Sequence, residues 1–386
     1  MKPIERVLIV GGGIGGLSLA VALGRQGIKA KIVEIKPRHN VFGVGIIQPG
    51  NALRALNTLG LMERCLEEGY QLDHYVTYDG DGDFIAKMQL LRIAGPNIPA
   101  VNGLPRPALH RILVDAATVV GAQIRLGISV ETIEQHNDQV VVALTDGSRE
   151  TYDLVVGADG IRSKMRKLLL GDQFDPHYTG HGVWRLTTER PPEIDHQIMY
   201  FGIGLKAGIM PVSRSQMYLL LVTNEPGNPW MKSDQFARML RERLEPFGAP
   251  LVRKIRDQIE DTSSIIYSPI EEVIIPSPWY RGRVLLIGDA AHASGPHVSQ
   301  GATMAIEDAV VLAELIAHGE PVDKTLAKFM ERRYERCKFV QDVSRQIGQE
   351  GNLEDPLLCQ QRNERMRSAF KEPKPRPHEE RMAEPI

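Results

Sequence analysis

A carboxylate that directly follows an apolar segment is the first candidate for chemistry in this chain of 386 residues. Residues 284–287 are all aliphatic, which is typical of a short buried strand, and Gly288 and Asp289 come next. The carboxylate of Asp289 can accept hydrogen bonds from the hydroxyl groups of a ribose or a ribityl chain. The position therefore predicts contact with a polar ligand, although an ordinary strand-loop-helix crossover has the same pattern.

The segment after Asp289 supplies groups that favour negative charge. A loop containing Pro296 is followed by residues 302–316, in which apolar side chains recur at intervals of three and four and predict a helix. The first backbone amides of a helix have no partner inside it and favour an anion. We therefore expect the amides of residues 300–302 to face the ligand that Asp289 holds.

The N-terminus carries a motif for binding a dinucleotide. Residues 6–10 predict a buried strand, and Gly-x-Gly-x-x-Gly follows at Gly11, Gly13 and Gly16. Glycine at these places permits a tight turn, close approach to a pyrophosphate, and close packing of helix on strand. Glu34, at the end of the next predicted strand, can accept a hydrogen bond from a ribose 2′-hydroxyl. Strand, helix, second strand and acid in this order predict a dinucleotide site.

The acid at Glu34 also selects among dinucleotides. A carboxylate there disfavours the 2′-phosphate of NADP, so the site is predicted to bind FAD or NAD. Residues 202–204 contain Gly-x-Gly without the third glycine, and no second complete motif follows a predicted strand. A nicotinamide cofactor used together with a flavin would therefore have no Rossmann fold of its own.

Composition limits the classes of protein that fit the chain. A net charge of −2, with 24% charged and 42% hydrophobic residues, indicates one large globular domain or two, and gives no reason to expect nucleic acid or a membrane as partner. The three cysteines are far apart and form no Cys-x-x-Cys, which argues against disulfides and a metal site. No stretch of membrane-spanning length or signal peptide is visible. We expect a cytoplasmic protein without a bound metal.

A third motif, centred on Asp159 and Gly160 within residues 153–166, completes a pattern. In kind and order the three motifs resemble those of single-component FAD-dependent aromatic monooxygenases, the para-hydroxybenzoate hydroxylase family. The resemblance spans roughly residues 6 to 316 and implies an α/β fold. A Rossmann-like FAD-binding domain of the GR2 type would carry an inserted mixed β-sheet substrate domain and be followed by a C-terminal helix.

The resemblance and the strand pattern together suggest domain limits. The FAD-binding domain is predicted to be discontinuous, at residues 1–72, 101–180 and 281–345, and the substrate-binding sheet to comprise residues 73–100 and 181–280. Residues 346–386 are polar and contain several prolines toward their end, so we expect a helix followed by a loosely held tail.

By resemblance, FAD is bound noncovalently, and NADH or NADPH is the co-substrate. The residues that would contact FAD or shape its site are Gly11, Gly13, Gly15, Gly16, Glu34, Gly45, Arg106, Asp159, Gly160, Asp289, Pro296, Gln300, Gly301, Ala302 and Thr303. The chain departs from the family at residues 40–42, because many members have an arginine in this neighbourhood. Here the three residues are Asn40, Val41 and Phe42, and Arg38 lies slightly earlier.

Substrate contacts are predicted in the middle of the chain. Arg185 lies within an otherwise apolar predicted strand, which is costly unless a substrate carboxylate or a protein acid pairs with it. Tyr218, on a strand where alternation groups it with Leu220, is a candidate for both substrate binding and catalysis, the alternative being a core tyrosine. Tyr267 is a further substrate candidate. His297, which follows Pro296, is a candidate catalytic acid or base.

These residues and the resemblance predict a monooxygenase. It would use NAD(P)H and O2 to hydroxylate a small electron-rich aromatic or N-heteroaromatic ring, a phenol or hydroxypyridine that carries a carboxylate, through a flavin C4a-hydroperoxide. The alternative is an FAD-dependent reductase or dehydrogenase of the same fold, of the isoprenoid-reductase type. A halogenase is disfavoured because the three tryptophans form no Trp-x-Trp-x-Ile-Pro motif. The expected partners are the small aromatic substrate and O2, and the expected state is a monomer or homodimer.

Overall fold

The computed structural model describes residues 4–39, 43–369 and 377–386. Residues 40–42, where the chain departs from the resembled family, lie outside these ranges. The strands are β1 Arg6–Val10, β2 Lys29–Glu34, β3 Gly45–Pro49, β4 Tyr70–Leu72, β5 His74–Asp79, β6 Phe84–Gln89, β7 Val101–Pro105, β8 Gln123–Leu126, β9 Val130–Gln135, β10 Val140–Leu144, β11 Arg149–Tyr152, β12 Leu154–Gly157, β13 His177–Glu189, β14 Gln197–Phe201, β15 Leu205–Pro211, β16 Gln216–Asn224, β17 Ile265–Glu272, β18 Tyr280–Arg281 and β19 Val284–Leu286.

The α-helices are α1 Ile14–Arg25, α2 Gly50–Thr58, α3 Met62–Glu68, α4 Arg106–Val119, α5 Lys164–Leu170, α6 Phe236–Leu244, α7 Pro250–Asp257, α8 Asp289–His292, α9 Gly301–Ala317, α10 Val322–Gly351, α11 Pro356–Ala369 and α12 Pro377–Ala383. Short 3-10 helices cover Asp172–Phe174, Ser233–Gln235 and Pro296–Val298. None of the helices in the described ranges is long and apolar enough to cross a membrane.

A six-stranded sheet in the order β18-β19-β12-β1-β2-β8 forms the centre of the predicted FAD-binding part. Its strands pair in parallel except for β18, which pairs antiparallel with β19. The central strands are buried on both faces, as the aliphatic runs at Leu8, Val155 and Leu285 require. Two antiparallel three-stranded sheets, β11-β10-β9 and β3-β7-β4, complete this part.

The inserted sheet has seven strands in the order β17-β13-β16-β15-β14-β5-β6. It is mixed, because β5 and β14 pair in parallel while the other neighbours pair antiparallel. β13 begins at His177, before the predicted limit at residue 181.

Alternation divides the inserted sheet into two apolar faces. Trp184, Leu219 and Leu221 point to one face and pack with α6 and α7. Val183, Tyr218, Leu220 and Val222 point to the other face and pack with Ile47 and Val101 of β3 and β7. We call this second side the flavin-facing surface, since β3 and β7 belong to the predicted FAD-binding part.

The C-terminal region differs from the prediction of a loosely held tail. Helix α10 continues to Gly351, and α11 and α12 follow. The guanidinium of Arg54 donates hydrogen bonds to the carbonyls of Ala383 at 3.0 Å and Glu384 at 2.9 Å, and Met382 is only 1% exposed. The prediction was wrong for residues 377–386, because arginines on distant helices bind their backbone and Met382 adds apolar burial.

Candidate active site

The carboxyl ends of four parallel strands meet at one edge of the six-stranded sheet. Gly11 follows β1, Glu34 ends β2, Asp159 lies just beyond β12, and Asp289 lies just beyond β19. Ligands of open α/β sheets bind outside such an edge. The predicted contacts at residues 11–16, 34, 159–160 and 289 therefore come together at a single place, which we call the cofactor edge.

Backbone crowding explains two of the glycines in the N-terminal motif. Gly11 has a φ of +113°, and a Cβ atom there would lie 2.4 Å from the carbonyl oxygen of Ala158. A Cβ atom at Gly16 would lie 2.0 Å from the carbonyl oxygen of Gly11. At Gly13, by contrast, a Cβ atom would meet nothing within 4 Å, so this glycine leaves open space at the start of α1.

Two carboxylates at the cofactor edge have contrasting surroundings. The carboxylate of Glu34 accepts hydrogen bonds from the backbone amides of Gly12 at 2.7 Å and Lys36 at 2.9 Å, which fix its orientation. Asp289 is exposed and has no hydrogen-bond or ion-pair partner in the described parts of the chain. Glu34 is thus held in place by the protein, whereas Asp289 is free to accept hydrogen bonds from the hydroxyl groups of a ligand.

Asp159 is mainly bound by its own segment. Its carboxylate accepts hydrogen bonds from the Ser163 hydroxyl and from the backbone amide of Met165 at 2.9 Å, in the first turn of α5. Burial raises the pKa of Asp159, and these hydrogen bonds oppose the shift. Gly160 follows with a φ of +78°. The pair shapes the turn between β12 and α5 at the cofactor edge.

The start of α9 is held by a buried polar network. The side-chain amides of Gln300 and Asn51 donate to each other at 3.0 and 3.1 Å, and Asn51 also donates to Glu307 at 3.0 Å. Glu307 in turn accepts from Arg333 and Arg336 at 2.8 Å. The amides of Gly301, Ala302 and Thr303, in the first turn of α9, have no partner within the helix and remain available for negative charge.

His292 belongs to the same buried region. Its Nε2 lies 2.7 Å from Asp308, which also accepts from Arg333 at 2.8 Å. Although burial acts in the opposite direction, the neighbouring Cys337 and Asp308 raise the pKa of His292 well above its ordinary value. His292 therefore belongs to a buried ion network that supports α9.

A cavity of about 320 Å³ adjoins the start of α9. It lies between the flavin-facing surface of the inserted sheet, the 3-10 helix at Pro296–Val298 and the C-terminal helices. Its apolar lining includes Ile47, Leu90, Val101, Met199, Met210, Ile347, Met366 and Met382. Its polar lining includes Asn51, Lys206, His297, Gln300, Glu350 and Arg362. The composition suits a flat ring with a few polar substituents.

His297 is a predicted catalytic residue that the structure places in this cavity. Its Nδ1 is buried and has no hydrogen-bond partner among the described residues. Burial, with further contributions from Lys206 and His181, holds the pKa of His297 well below its ordinary value. The imidazole is therefore neutral near physiological pH and suited to accept a proton rather than to donate one.

Arg185 and Tyr218 share the flavin-facing surface but do not line the cavity. Thr187, two residues after Arg185, is opposite Tyr218 in the pairing of β13 with β16. The Tyr218 ring packs on Gly45, where a Cβ atom would lie 2.7 Å from it. Burial lowers the pKa of Arg185, and the nearby Arg106 lowers it further. These residues form a second cluster beside the segment predicted to contact the flavin.

Arg185 has no acidic partner in the described part of the chain. Glu189 and Asp195, two acids that lie near Arg185 in the sequence, do not pair with it; Asp195 binds His196 at 2.7 Å instead. The guanidinium is therefore free for an anionic ligand, and its role in substrate binding stays a prediction.

The structure corrects the substrate prediction for Tyr267. The register of β13 with β17 places Tyr267 opposite Trp184, on the face that packs against α6 and α7. Its ring lies 4.6 Å from that of Trp184, measured between centroids. Tyr267 therefore faces away from the cavity. The prediction failed because the face on which a strand residue lies depends on the pairing register, which the sequence did not reveal.

Comparison with known proteins decides which family this architecture belongs to. The family described as "FAD binding domain" matches residues 5–344. The chain belongs to this family. The "Putative FAD-dependent monooxygenase YetM" of Bacillus subtilis is 32% identical, over 89% of this chain and 93% of that protein. The "2-heptyl-3-hydroxy-4(1H)-quinolone synthase" of Pseudomonas aeruginosa (strain PAO1) is 33% identical over 92% of each.

A solved structure agrees with the family assignment. HpxO of Klebsiella pneumoniae, complexed with FAD and uric acid, superposes with a TM-score of 0.85 at 26% identity, over 94% of this chain and 93% of that one. The protein is therefore a flavoprotein monooxygenase of this family. The predicted family, fold class and FAD cofactor are confirmed.

The residues of the cofactor edge fit FAD. The open space at Gly13 and the start of α1 suit a pyrophosphate, the oriented carboxylate of Glu34 suits a ribose, and the unpaired carboxylate of Asp289 suits a hydroxyl-bearing chain. The amides that begin α9 suit the part of a flavin that carries negative charge when reduced.

Two parts of the monooxygenase cavity were missed from sequence. Lys206, 2% exposed on β15, lines the cavity, as do Met366 and Met382 of the C-terminal helices. A lysine inside the apolar segment 205–211 was the available signal for the first, by the same reasoning that singled out Arg185. No local pattern marks the C-terminal helices, because they reach the cavity only through tertiary packing.

Proposed function

We propose that this monooxygenase uses NADH or NADPH and O2 to hydroxylate an electron-rich aromatic or N-heteroaromatic ring that carries an ionisable hydroxyl or a carboxylate. The observation that carries the proposal is the cavity beside the start of α9. It has apolar walls, a neutral imidazole and a buried lysine, Lys206, that forms no ion pair with the described residues, and it adjoins the start of α9. Bound FAD would supply the redox chemistry, in which two electrons from the nicotinamide reduce O2, one oxygen atom enters the ring and the other leaves as water.

The names of similar proteins support an N-heteroaromatic substrate. One relative is named for making a hydroxyquinolone, and a structural relative was crystallised with uric acid. Apolar residues of the C-terminal helices line one side of the cavity and would suit contact with an apolar substituent on the ring. A small hydroxypyridine or phenol remains part of the proposal, and the carboxylate rests on the cationic groups alone.

The chain's own residues would contribute three effects. The apolar lining keeps water from the reacting atoms, which protects the oxygen transfer from a wasteful side reaction. The amides of Gly301, Ala302 and Thr303 stabilise negative charge on the reduced cofactor. The neutral imidazole of His297 accepts the proton of a ring hydroxyl, which makes the ring more electron-rich and a better target for electrophilic oxygen.

Oxygen consumption tests the proposal directly. We expect that a panel of hydroxypyridines, hydroxyquinolines and hydroxybenzoates contains compounds that accelerate NADH or NADPH oxidation by the FAD-loaded protein. The product should carry one oxygen-18 atom when the reaction runs under labelled O2. Comparing the two nicotinamides in the same assay identifies the co-substrate.

The outcome also separates the alternative function. An isoprenoid-type reductase would turn over without consuming O2, and its product would contain no new oxygen. Rapid NAD(P)H oxidation that yields only hydrogen peroxide with every ring in the panel would contradict the proposed hydroxylation.

A further inference from the structure

One face of α10 supports the loop that carries His297. The face contains Gln341, Ser344 and Gly348, which recur at intervals of four or fewer residues and therefore lie on the same side of the helix. All three are buried, and α10 packs here against the 3-10 helix at Pro296–Val298. We call these three residues the α10 stripe.

Two members of the α10 stripe bind the backbone of the loop. The side-chain amide of Gln341 donates a hydrogen bond of 3.0 Å to the carbonyl oxygen of Ala293. The hydroxyl of Ser344 donates a hydrogen bond of 2.7 Å to the carbonyl oxygen of Gly295. Both carbonyls lie shortly before His297 in the chain, so these hydrogen bonds fix the backbone from which the imidazole projects.

The third member, Gly348, makes room for the imidazole itself. A Cβ atom at Gly348 would lie 2.6 Å from Nε2 and 2.8 Å from Cδ2 of His297, which is closer than a real Cβ atom can approach. The ring therefore packs on bare helix backbone. Its Nδ1 has no hydrogen-bond partner among the described residues, so no bond at this atom orients the ring. The contact with α10 supplies that orientation instead.

The loop has a conformation that its own residues do not favour. Ser299 has a φ of +55°, in the left-handed region that glycine adopts readily and that is costly for other residues. A Cβ atom at Gly295 would lie 3.1 Å from Cδ2 of His297, so the ring is also close to the backbone of its own loop. Such a conformation persists where the surrounding structure holds it, and the α10 stripe provides hydrogen bonds and space for this purpose.

We propose that Gln341, Ser344 and Gly348 are positioning residues for His297. None of the three lines the cavity, so they act through the loop and the ring rather than by contact with the substrate. The inference rests on the proposed function in taking His297 as the proton acceptor. Placement matters in that role, because a proton acceptor has to lie within hydrogen-bond distance of the hydroxyl that it deprotonates.

The same placement keeps the imidazole buried. Burial lowers the pKa of His297, and Lys206 of β15 and His181 of β13 lower it further. Glu350 of α10 and Arg362 of α11 are further charged groups that line the cavity. A ring displaced from the α10 stripe would be less buried, so its pKa would rise toward the ordinary value. The proton acceptor would then become protonated, and kcat/KM would fall, at a higher pH than in wild type.

Gly348→Ala tests the contact with the ring. With the FAD-loaded protein and the best ring from the oxygen-uptake panel, kcat should fall about 10- to 100-fold and KM should change much less, because the proton acceptor is displaced. The pH at which kcat/KM falls should rise. In a His297→Ala background the added methyl group occupies space that the ring has left, so Gly348→Ala should then change kcat by about twofold at most.

Nuclear magnetic resonance measures the effect on the ring without turnover. The histidines are labelled with carbon-13, and the signal that disappears in His297→Ala belongs to His297. Its pKa should be higher in Gly348→Ala than in wild type. A Gly348-dependent pKa in a protein that hydroxylates no ring keeps the positioning and loses the proposed function. Hydroxylation with kcat and pKa unchanged in Gly348→Ala keeps the function and overturns the positioning.

Two further variants complete the test. Ser344→Ala removes one hydrogen bond to the loop and adds no atom, so it should lower kcat by about two- to tenfold, and it decides the matter if Gly348→Ala does not fold. Gln349→Ala, on the exposed side of α10, is the matched control and should behave like wild type. Circular dichroism and flavin content report folding. Wild-type kcat in folded Ser344→Ala and Gly348→Ala, or an equal loss from Gly348→Ala with and without the His297 ring, would overturn the proposal.

Discussion

The cofactor edge and the cavity beside it are built in different ways. At the cofactor edge, backbone geometry and short segments determine the site, as in the crowding of Gly11 and Gly16 and the amides that bind Glu34. In the cavity, side chains from the inserted sheet, the loop before α9 and the C-terminal helices converge across long sequence distances. One region is fixed by local covalent spacing and the other by tertiary packing.

The two regions also differ in whether a buried cation has an acidic partner. His292, beneath the cofactor edge, is paired with Asp308, and its pKa is raised well above the ordinary value. Lys206, in the cavity, has no carboxylate within ion-pair distance among the described residues, and its pKa is lowered to about 7. A compensated cation supports structure, whereas an uncompensated one beside a cavity is suited to receive a charged ligand.

The largest effect we expect comes from the backbone geometry of the cofactor edge. Gly16→Ala places a Cβ atom where it would lie 2.0 Å from a carbonyl oxygen, so α1 must shift, and the protein should lose FAD or fail to fold. Gly13→Ala meets no protein atom within 4 Å, and should fold normally but bind FAD more weakly, because the methyl group occupies ligand space. Circular dichroism and flavin content separate the two outcomes; equal flavin content in both variants would contradict the distinction.

A smaller loss is expected from the free carboxylate of the cofactor edge. Asp289→Ala should weaken FAD binding by about 1.5–3 kcal/mol, the usual contribution of a hydrogen bond to a charged group. The fold should be unaffected, because Asp289 makes no hydrogen bond in the described structure. Equilibrium titration of flavin-free protein with FAD measures the effect. Asp138→Ala, which removes an exposed carboxylate from the turn between β9 and β10, is the control and should not change FAD affinity.

The contrast between the regions explains what the sequence could predict. Gly11, Gly13, Glu34 and Asp289 could be proposed as ligand contacts because the proposal rests on spacing along single strand-turn-helix segments, and the structure brings the four residues to one edge of the sheet. The grouping of Tyr218 with Leu220 on one face was also predicted, since alternation within one strand suffices for it, and the structure shows that this face packs with β3 and β7. Both predictions, of the residues at the cofactor edge and of the face of Tyr218, rest on spacing within a single segment.

Inferences that need the relation between segments were less successful. Tyr267 was named as a substrate contact although it faces α6 and α7, because its orientation depends on the pairing of β17 with β13. Arg185 was singled out and Lys206 was missed although both are cations within apolar strands, and only the assembled sheet shows which of them reaches the cavity. The C-terminal helices were missed as cavity walls because their arginine partners, Arg54 and Arg336, lie far away in sequence.

The two buried cations give opposite pH dependences of stability. Above pH 7 the folded state retains a proton on His292 that the unfolded state loses, so His292 lowers the free energy of unfolding as pH rises. For Lys206 the unfolded state holds the extra proton between about pH 7 and 10, so Lys206 raises that free energy. Each slope is at most about 1.4 kcal/mol per pH unit, and the two oppose each other in wild type.

Urea denaturation between pH 7.5 and 9 distinguishes these contributions. The free energy of unfolding should fall more steeply with pH in Lys206→Met than in wild type. In His292→Gln the slope of this free energy with pH should be more positive than in wild type. Only the slopes are compared, because each substitution also changes stability at every pH. Parallel curves for all three proteins would show that the two cations are not perturbed in opposite directions.

The smallest effect concerns two tyrosines on opposite faces of one sheet. Tyr218 lies on the flavin-facing surface, where burial raises its pKa to about 12 and Arg185 opposes the shift, so its hydroxyl stays protonated and can donate a hydrogen bond to a substrate oxygen. Tyr218→Phe should cost about 0.5–1.5 kcal/mol of substrate binding or transition-state stabilisation, up to roughly tenfold.

Tyr267 packs against Trp184 with a buried hydroxyl that has no partner among the described residues. Tyr267→Phe removes that unsatisfied group, so it should leave kcat/KM unchanged and keep or slightly raise stability. The measurements are kcat/KM with the best ring from the oxygen-uptake panel and the urea midpoint of each variant. If Tyr267→Phe reduced kcat/KM as much as Tyr218→Phe, the division of the sheet into a flavin-facing surface and a structural face would be wrong.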